Sequence, residues 1–89
     1  MRNTVYDIAA DKMEKLLIEN NIEYNRIRLY EGWQFYIHGT DGDIICHEGS
    51  YGGDSGLWES MGFDWDEEDV TGNLTEQEVV SRLKEYYGM

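Results

Sequence analysis

With 89 residues, 40% of them apolar and including three Trp, seven Tyr and two Phe, the chain has enough bulk for one core and too little for two, which predicts a single domain over residues 1–89. No apolar run approaches 18 residues, the N-terminal stretch is charged where a signal peptide needs an apolar core, and the lone Cys46 excludes an internal disulfide or a cysteine-rich zinc site, so a cytoplasmic protein held together by its core is expected. A formal charge of −12, from 19 acidic and 7 basic residues, disfavours direct contact with nucleic acid or an anionic membrane, because both need positive charge at the contact.

From Thr4, the apolar residues Val5, Ile8, Ala9, Met13, Leu16 and Leu17 recur at three- and four-residue intervals, which predicts a helix over about 4–20. Thr4 with Asp7 forms a capping-box pattern and Asn20-Asn21 is a stop. Two alternating runs follow, Arg26 to Tyr30 and Trp33 to His38. A three-residue loop Tyr30-Glu31-Gly32 with Gly32 left-handed pairs Leu29 with Trp33 and Ile27 with Phe35, keeping the apolar residues together. Asp41-Gly42 is a two-residue hairpin signal that pairs Thr40 with Asp43, Ile37 with Cys46 and Tyr36 with His47. The expected sheet is thus a three-stranded antiparallel meander. One face, Ile27, Leu29, Trp33, Phe35, Ile37, Ile44 and Cys46, packs on helices, and the other carries Arg26, Arg28, Gln34, Tyr36, His38, Ile45 and His47.

Four glycines in the nine residues Glu48 to Gly56 read as a loop. Leu57 to Met61 reads as a short helical turn ending at Gly62. Phe63 and Trp65 are expected to anchor the acidic run that follows. Thr75 with Glu78 is a capping box, Leu74 and Val79 occupy the staple positions, and Val79, Val80, Leu83 and Tyr86 or Tyr87 form the apolar face of a second helix before Gly88. The predicted class is α+β in the order α-β-β-β-α.

Charge is distributed unevenly. Residues 1–38 hold five basic and six acidic side chains, and residues 39–89 hold two and thirteen. A basic protein surface is the natural complement of the second half. The candidate contact residues are Asp41, Asp43, Glu48, Asp54, Glu59, Asp64, Asp66, Glu67, Glu68 and Asp69, with Trp58 and Trp65 as apolar anchors. Asp64, Asp66 and Glu68 have the first spacing of a calcium loop, but Asp69 stands where glycine is required and Thr75 where the bidentate Glu belongs, so no metal is expected there.

His38 and His47 fall on one sheet face in the derived register, yet a zinc site needs a third ligand and Glu48 points the other way. An accessory site for a metal or small molecule, built from Arg28, Tyr36, His38 and His47, is the alternative to protein binding. Arg26 and Arg28 are expected to meet the protein's own acidic loop in preference to an anionic ligand. The glycine loop lacks GxxxxGK[ST] and a surrounding βαβ unit, Ser50 and Ser55 lack an elbow motif, and Cys46 faces inward. No nucleophile, base and orienter assemble, so neither an enzyme nor a cofactor is expected.

The stretches His47-Glu48-Gly49-Ser50-Tyr51-Gly52, Gly56-Leu57-Trp58-Glu59 and Asp69-Val70-x-Gly72-x-Leu74-Thr75-x-x-Glu78-Val79 resemble a pattern in small phage and prophage proteins whose family carries no activity to transfer. In size, acidity and aromatic content the chain is also similar, by class and without a shared motif, to phage-encoded inhibitors of host defence, including anti-CRISPR proteins that mimic DNA. That resemblance implies carboxylates occupying the nucleic-acid-binding groove of a host protein or nuclease in the host cytoplasm. A virion structural or assembly subunit, its acidity serving solubility alone, is a further alternative.

Overall fold

The computed structural model describes residues 4–66 and 70–88. The chain is α+β, with two helices on one face of a five-stranded antiparallel sheet in sequential order. Helix α1 spans Val5–Glu19. Thr4 Oγ1 accepts from the Asp7 amide while the Asp7 carboxylate accepts from the Thr4 amide, so the expected capping box forms and satisfies two otherwise unpaired donors. The stripe it buries is Ala9, Ala10, Met13 and Leu17, whereas Val5 and Ile8 are exposed.

Strands β1 (Tyr24–Leu29), β2 (Gly32–Ile37), β3 (Asp43–Cys46), β4 (Trp58–Met61) and β5 (Val70–Leu74) follow, then helix α2 (Glu76–Tyr87). The sequence predicts three strands. The residues read as a helical turn form β4, and β5 occupies a stretch that carried no strand expectation. Strand β4 has a single fully buried large side chain, Trp58, and β5 contains Gly72 and Asn73, with Asn73 at φ 58°. Neither presents the alternating apolar run by which a strand is recognised.

The first hairpin corrects the derived register. Leu29 pairs with Gly32, Arg28 with Trp33 and Arg26 with Phe35, around a two-residue turn in which Tyr30, at φ 54°, takes the left-handed position. Gly32 is not left-handed; its importance is close approach, since a Cβ there would lie 1.9 Å from the Cys46 carbonyl oxygen and 2.6 Å from His47 Cα. One residue of shift exchanges the two faces of β1. Arg26 and Arg28 therefore look toward the helices, and Ile27 and Leu29 look away.

This inversion is stable because α1 is acidic where β1 is basic. Asp11 and Glu14 each lie 3.1 Å from Arg26 Nη1, and Asp7 lies 3.3 Å from Arg28 Nη1. The Arg26 guanidinium also stacks 4.1 Å above Trp33. The arginine pair meets its own chain, as expected, but through α1 in place of the acidic loop.

The second hairpin is also longer than predicted. Ile37 donates to the Gly42 carbonyl across a four-residue loop closed by the Thr40 hydroxyl, and the pairs are Tyr36 with Asp43, Phe35 with Ile44 and Trp33 with Cys46. Gly42 is withdrawn from the turn because the Phe63 ring packs on it, 2.5 Å from where a Cβ would stand. The shift is an even number of residues, so the faces of β2 and β3 stay as derived.

Phe35, Ile37, Ile44, Cys46 and Trp58 from the sheet, with Met13, Leu17, Val79 and Leu83 from the helices, form the core. Each large side chain in it is worth about 1.5–3 kcal/mol of burial. Trp58 is fully buried, meets Phe35 edge-on at 5.5 Å and donates its Nε1–H to Glu76. It is a core residue, which removes it from the predicted partner contacts. Thr75 and Glu78 cap α2 reciprocally, with Leu74 and Val79 buried beside the cap as the staple requires. Among the described residues no helix is long and apolar enough to cross a membrane.

Candidate functional site

Both helices lie on the Arg26, Phe35 and Trp58 side, so among the described residues neither helix covers the opposite face of the sheet. In register order its rows are Asn25, Tyr36, Asp43, Met61 and Val70, then Ile27, Gln34, Ile45 and Glu59, then Leu29 and Gly32. Ile27, Tyr36 and Met61 are 41%, 46% and 45% exposed. The two carboxylates on this face are Asp43 and Glu59. Asp43 is nearly buried, takes one hydrogen bond from Gln34 Nε2 at 3.0 Å, and has its pKa raised by burial. Glu59 accepts from the Tyr51 amide at 3.1 Å.

Every Lys and Arg among the described residues lies elsewhere. Lys12 and Lys15 are on α1, Arg82 and Lys84 on α2, and Arg26 and Arg28 on the helix side of β1. The open face therefore carries no Lys or Arg among the described residues.

The turn end beside Gly32 gathers Glu31, Glu48 and Asp54. Glu48 accepts from the Glu31 amide at 3.2 Å, and Asp54 accepts the Tyr6 hydroxyl at 2.7 Å. That bond, with the charges of Asp54, Glu48 and Glu31 behind it, pushes the Tyr6 phenol up to about 12. His47 sits at the same end. Its Nδ1 accepts from the Gly49 amide at 2.8 Å, and Ser50 Oγ both accepts from the His47 amide and donates to its carbonyl. A Cβ on Gly53 would lie 1.9 Å from the His47 carbonyl oxygen. The spacing of glycines and Ser50 after His47 is thus a device that seats this histidine.

The predicted site is therefore divided. Asp41, Glu48, Asp54 and Asp64 are exposed, Glu59 and Asp66 are half-buried, and Asp43 is buried. Asp66 is structural, since it accepts from the Ser60 hydroxyl at 2.7 Å and from the Phe63 amide at 3.1 Å. Trp65 stacks on Phe63 at 4.2 Å and donates to Ser60 Oγ, which meets the expectation that this pair anchors the loop and weakens Trp65 as a contact residue. Asp64 lines a hollow together with Trp65, Arg82 and Glu85. Glu67, Glu68 and Asp69 lie outside the described residues.

The structure does not bring together the set Arg28, Tyr36, His38 and His47. His38 is paired with Glu23 at the far end of β2 from His47, about 17 Å along a six-residue strand, and Arg28 is on the other face. With Nδ1 of His47 accepting a hydrogen bond, its proton is on Nε2, which then has no lone pair for a metal. Among the described residues no three His, Cys, Asp or Glu side chains converge as a metal site needs. Cys46 is buried, and burial pushes its thiol up to about 12, so it is no nucleophile at neutral pH.

Ile27, Leu29, Tyr30 and Met61 are the surface residues that the sequence reading missed. The signal available for the first two was the spacing of Asp7, Asp11 and Glu14 at i, i+4 and i+7 on α1, a carboxylate stripe that matches Arg26 and Arg28 on one side of a strand. Comparison with protein-family models, with curated proteins and with solved structures finds no match.

Proposed function

We propose that the chain is an acidic binding module that holds a basic protein against the open face of its sheet, and that the surface it covers is one that otherwise contacts nucleic acid. One observation carries this reading: an uncovered sheet face with exposed Ile27, Tyr36 and Met61, bounded by carboxylates and free of Lys and Arg among the described residues. Exposed apolar side chains within a single-sign field combine the two ingredients of a protein interface. The apolar residues supply burial and the carboxylates steer the encounter. Nucleic acid is a poor occupant, because phosphates would meet only like charge.

A basic groove built for a phosphate backbone is the complement in charge and in length, since the acidic side chains run from Asp41 at one end of the sheet to Glu48 and Asp54 at the other. This is the mode implied by the acidic phage inhibitors that the chain resembles in class. The docking surface proposed is the sheet face, in place of Asp64 and Asp66 of the acidic run.

The test is capture from a bacterial lysate at low salt on the immobilised wild-type chain and on the variant Ile27→Ser, Tyr36→Ser, Met61→Ser. All three positions are exposed, so the fold tolerates the changes. The expected result is a basic nucleic-acid-binding protein retained by the wild type, released by a salt step and absent from the variant. Retention that is equal on both, or that survives the salt step, overturns the reading.

A further inference from the structure

Tyr30 is 75% exposed, and its ring lies 5.3 Å from that of His47, which is itself only 8% exposed. Together with Glu48 and Gly49 they line a hollow of about 220 Å³ at the turn end of the open face. Three features of this hollow leave binding capacity unused within the chain. The Tyr30 ring stands in solvent on a turn residue with φ 54°, a conformation in which Asn or Gly is the ordinary choice. Glu48 has one carboxylate oxygen on the Glu31 amide, and no described hydrogen bond takes the other. The Nε2–H of His47 has no acceptor among the described residues, yet every fully buried side-chain nitrogen and oxygen there is hydrogen-bonded, so Nε2 retains some exposed surface, and His47 is a lining residue of the hollow.

We propose that this hollow receives one arginine of the bound partner. The guanidinium lies over the Tyr30 ring and pairs with the free oxygen of Glu48, and the arginine's own main-chain carbonyl accepts the His47 Nε2–H. The chemistry selects the ligand from both sides. Glu31, Glu48 and Asp54 all act on the neighbouring Tyr6 phenol, so the field around the hollow repels an anion. An aromatic face with a carboxylate at its edge favours a planar delocalised cation over a compact ammonium. The outward N–H can donate to an acceptor, and a peptide supplies one in the main-chain carbonyl beside each side chain. Glycine at 49 keeps the entrance open, because a Cβ there would stand 3.1 Å from His47 Cε1.

The inference rests on the basic-partner reading and adds to it a defined contact. It is tested by amide chemical-shift titration of the full chain with Nα-acetyl-arginine methylamide, its lysine analogue and its neutral citrulline analogue. The arginine probe is expected to give saturable shifts at Tyr30, Glu48 and Gly49 with a Kd on the order of millimolar. Binding should be about fivefold weaker for lysine and should not saturate with citrulline. Tyr30→Asn, which removes the ring and suits the positive φ, and Glu48→Gln should each weaken the arginine probe about fivefold or more. Shifts that are scattered over the acidic surface, equal for citrulline, or unchanged in Tyr30→Asn overturn the proposal. A partner that docks on the open face equally well with Tyr30→Asn overturns the arginine contact alone, whereas loss of docking on neither this variant nor the Ile27, Tyr36, Met61 triple variant overturns both.

Discussion

Asp43 is 8% exposed and has one neutral donor, Gln34, for company. Burial raises its pKa, and the charge of Asp66 acts in the same direction. A carboxyl whose folded pKa lies above its unfolded one binds more protons when folded, so it costs stability increasingly as pH rises from its unfolded pKa through its folded one. Asn at this position keeps an acceptor for Gln34 and carries no charge. Asp43→Asn should therefore raise Tm by a few degrees at neutral pH, and the gain should vanish below about pH 4, where the wild-type carboxyl is protonated in both states. Parallel thermal melts across pH check this.

Arg26 has the opposite character. Its side chain is 18% exposed between two carboxylates and over an indole, so it fastens β1 to α1 through charge and packing together. Urea denaturation should show a loss of about 2 kcal/mol for Arg26→Met, and about 1 kcal/mol for Arg26→Lys, because an ammonium cannot stack on Trp33 and divide itself between Asp11 and Glu14.

Among the elements, the two helices were legible because their signals are local: a capping pair three residues apart and a stripe at helical spacing. The β2 and β3 faces were legible for the same reason. The face of β1 was not, because alternation in Arg26-Ile27-Arg28-Leu29 has two solutions, and the choice between them depends on carboxylates of the preceding helix α1, 12 to 21 residues earlier, which the strand's own pattern does not contain. Strands β4 and β5 were hidden by composition, since Glu59, Ser60, Gly72 and Asn73 break any apolar run. Gly32 joins these levels. It was read as a turn residue, and it is the point at which β2 passes under Cys46 and His47. Gly32→Ala should cost about 3 kcal/mol, because the obstructing atoms are backbone and cannot rotate away. A comparable loss should appear as a lower urea midpoint, and an unchanged midpoint would mean that β2 and β3 do not approach each other in this way at Gly32.

For the whole molecule, only part of the acidic half seen in the sequence, Asp41, Asp43, Glu48 and Glu59, falls on the open sheet face and the turns at its ends, while Glu76, Glu78 and Glu85 lie on α2. Within the acidic run that dominated the sequence, Asp66 is committed to Ser60 and Phe63 and Asp64 shares a hollow with Arg82, whereas the open sheet face carries no Lys or Arg among the described residues. Charge count alone could not locate this surface. It arises because Arg26 and Arg28 turn inward and carry their charge away from the face that Ile27 and Leu29 then share.

The most direct measurement is an amide perturbation map of the full chain with a short peptide of alternating arginine and valine, recorded at low salt and again near 1 M salt, where the screening length is about 3 Å. The account predicts shifts on the outward rows of β1 to β4 and at the Tyr30 turn, largely abolished by the salt. Shifts centred on α1, α2 or residues 62–66, or unaffected by salt, would contradict it.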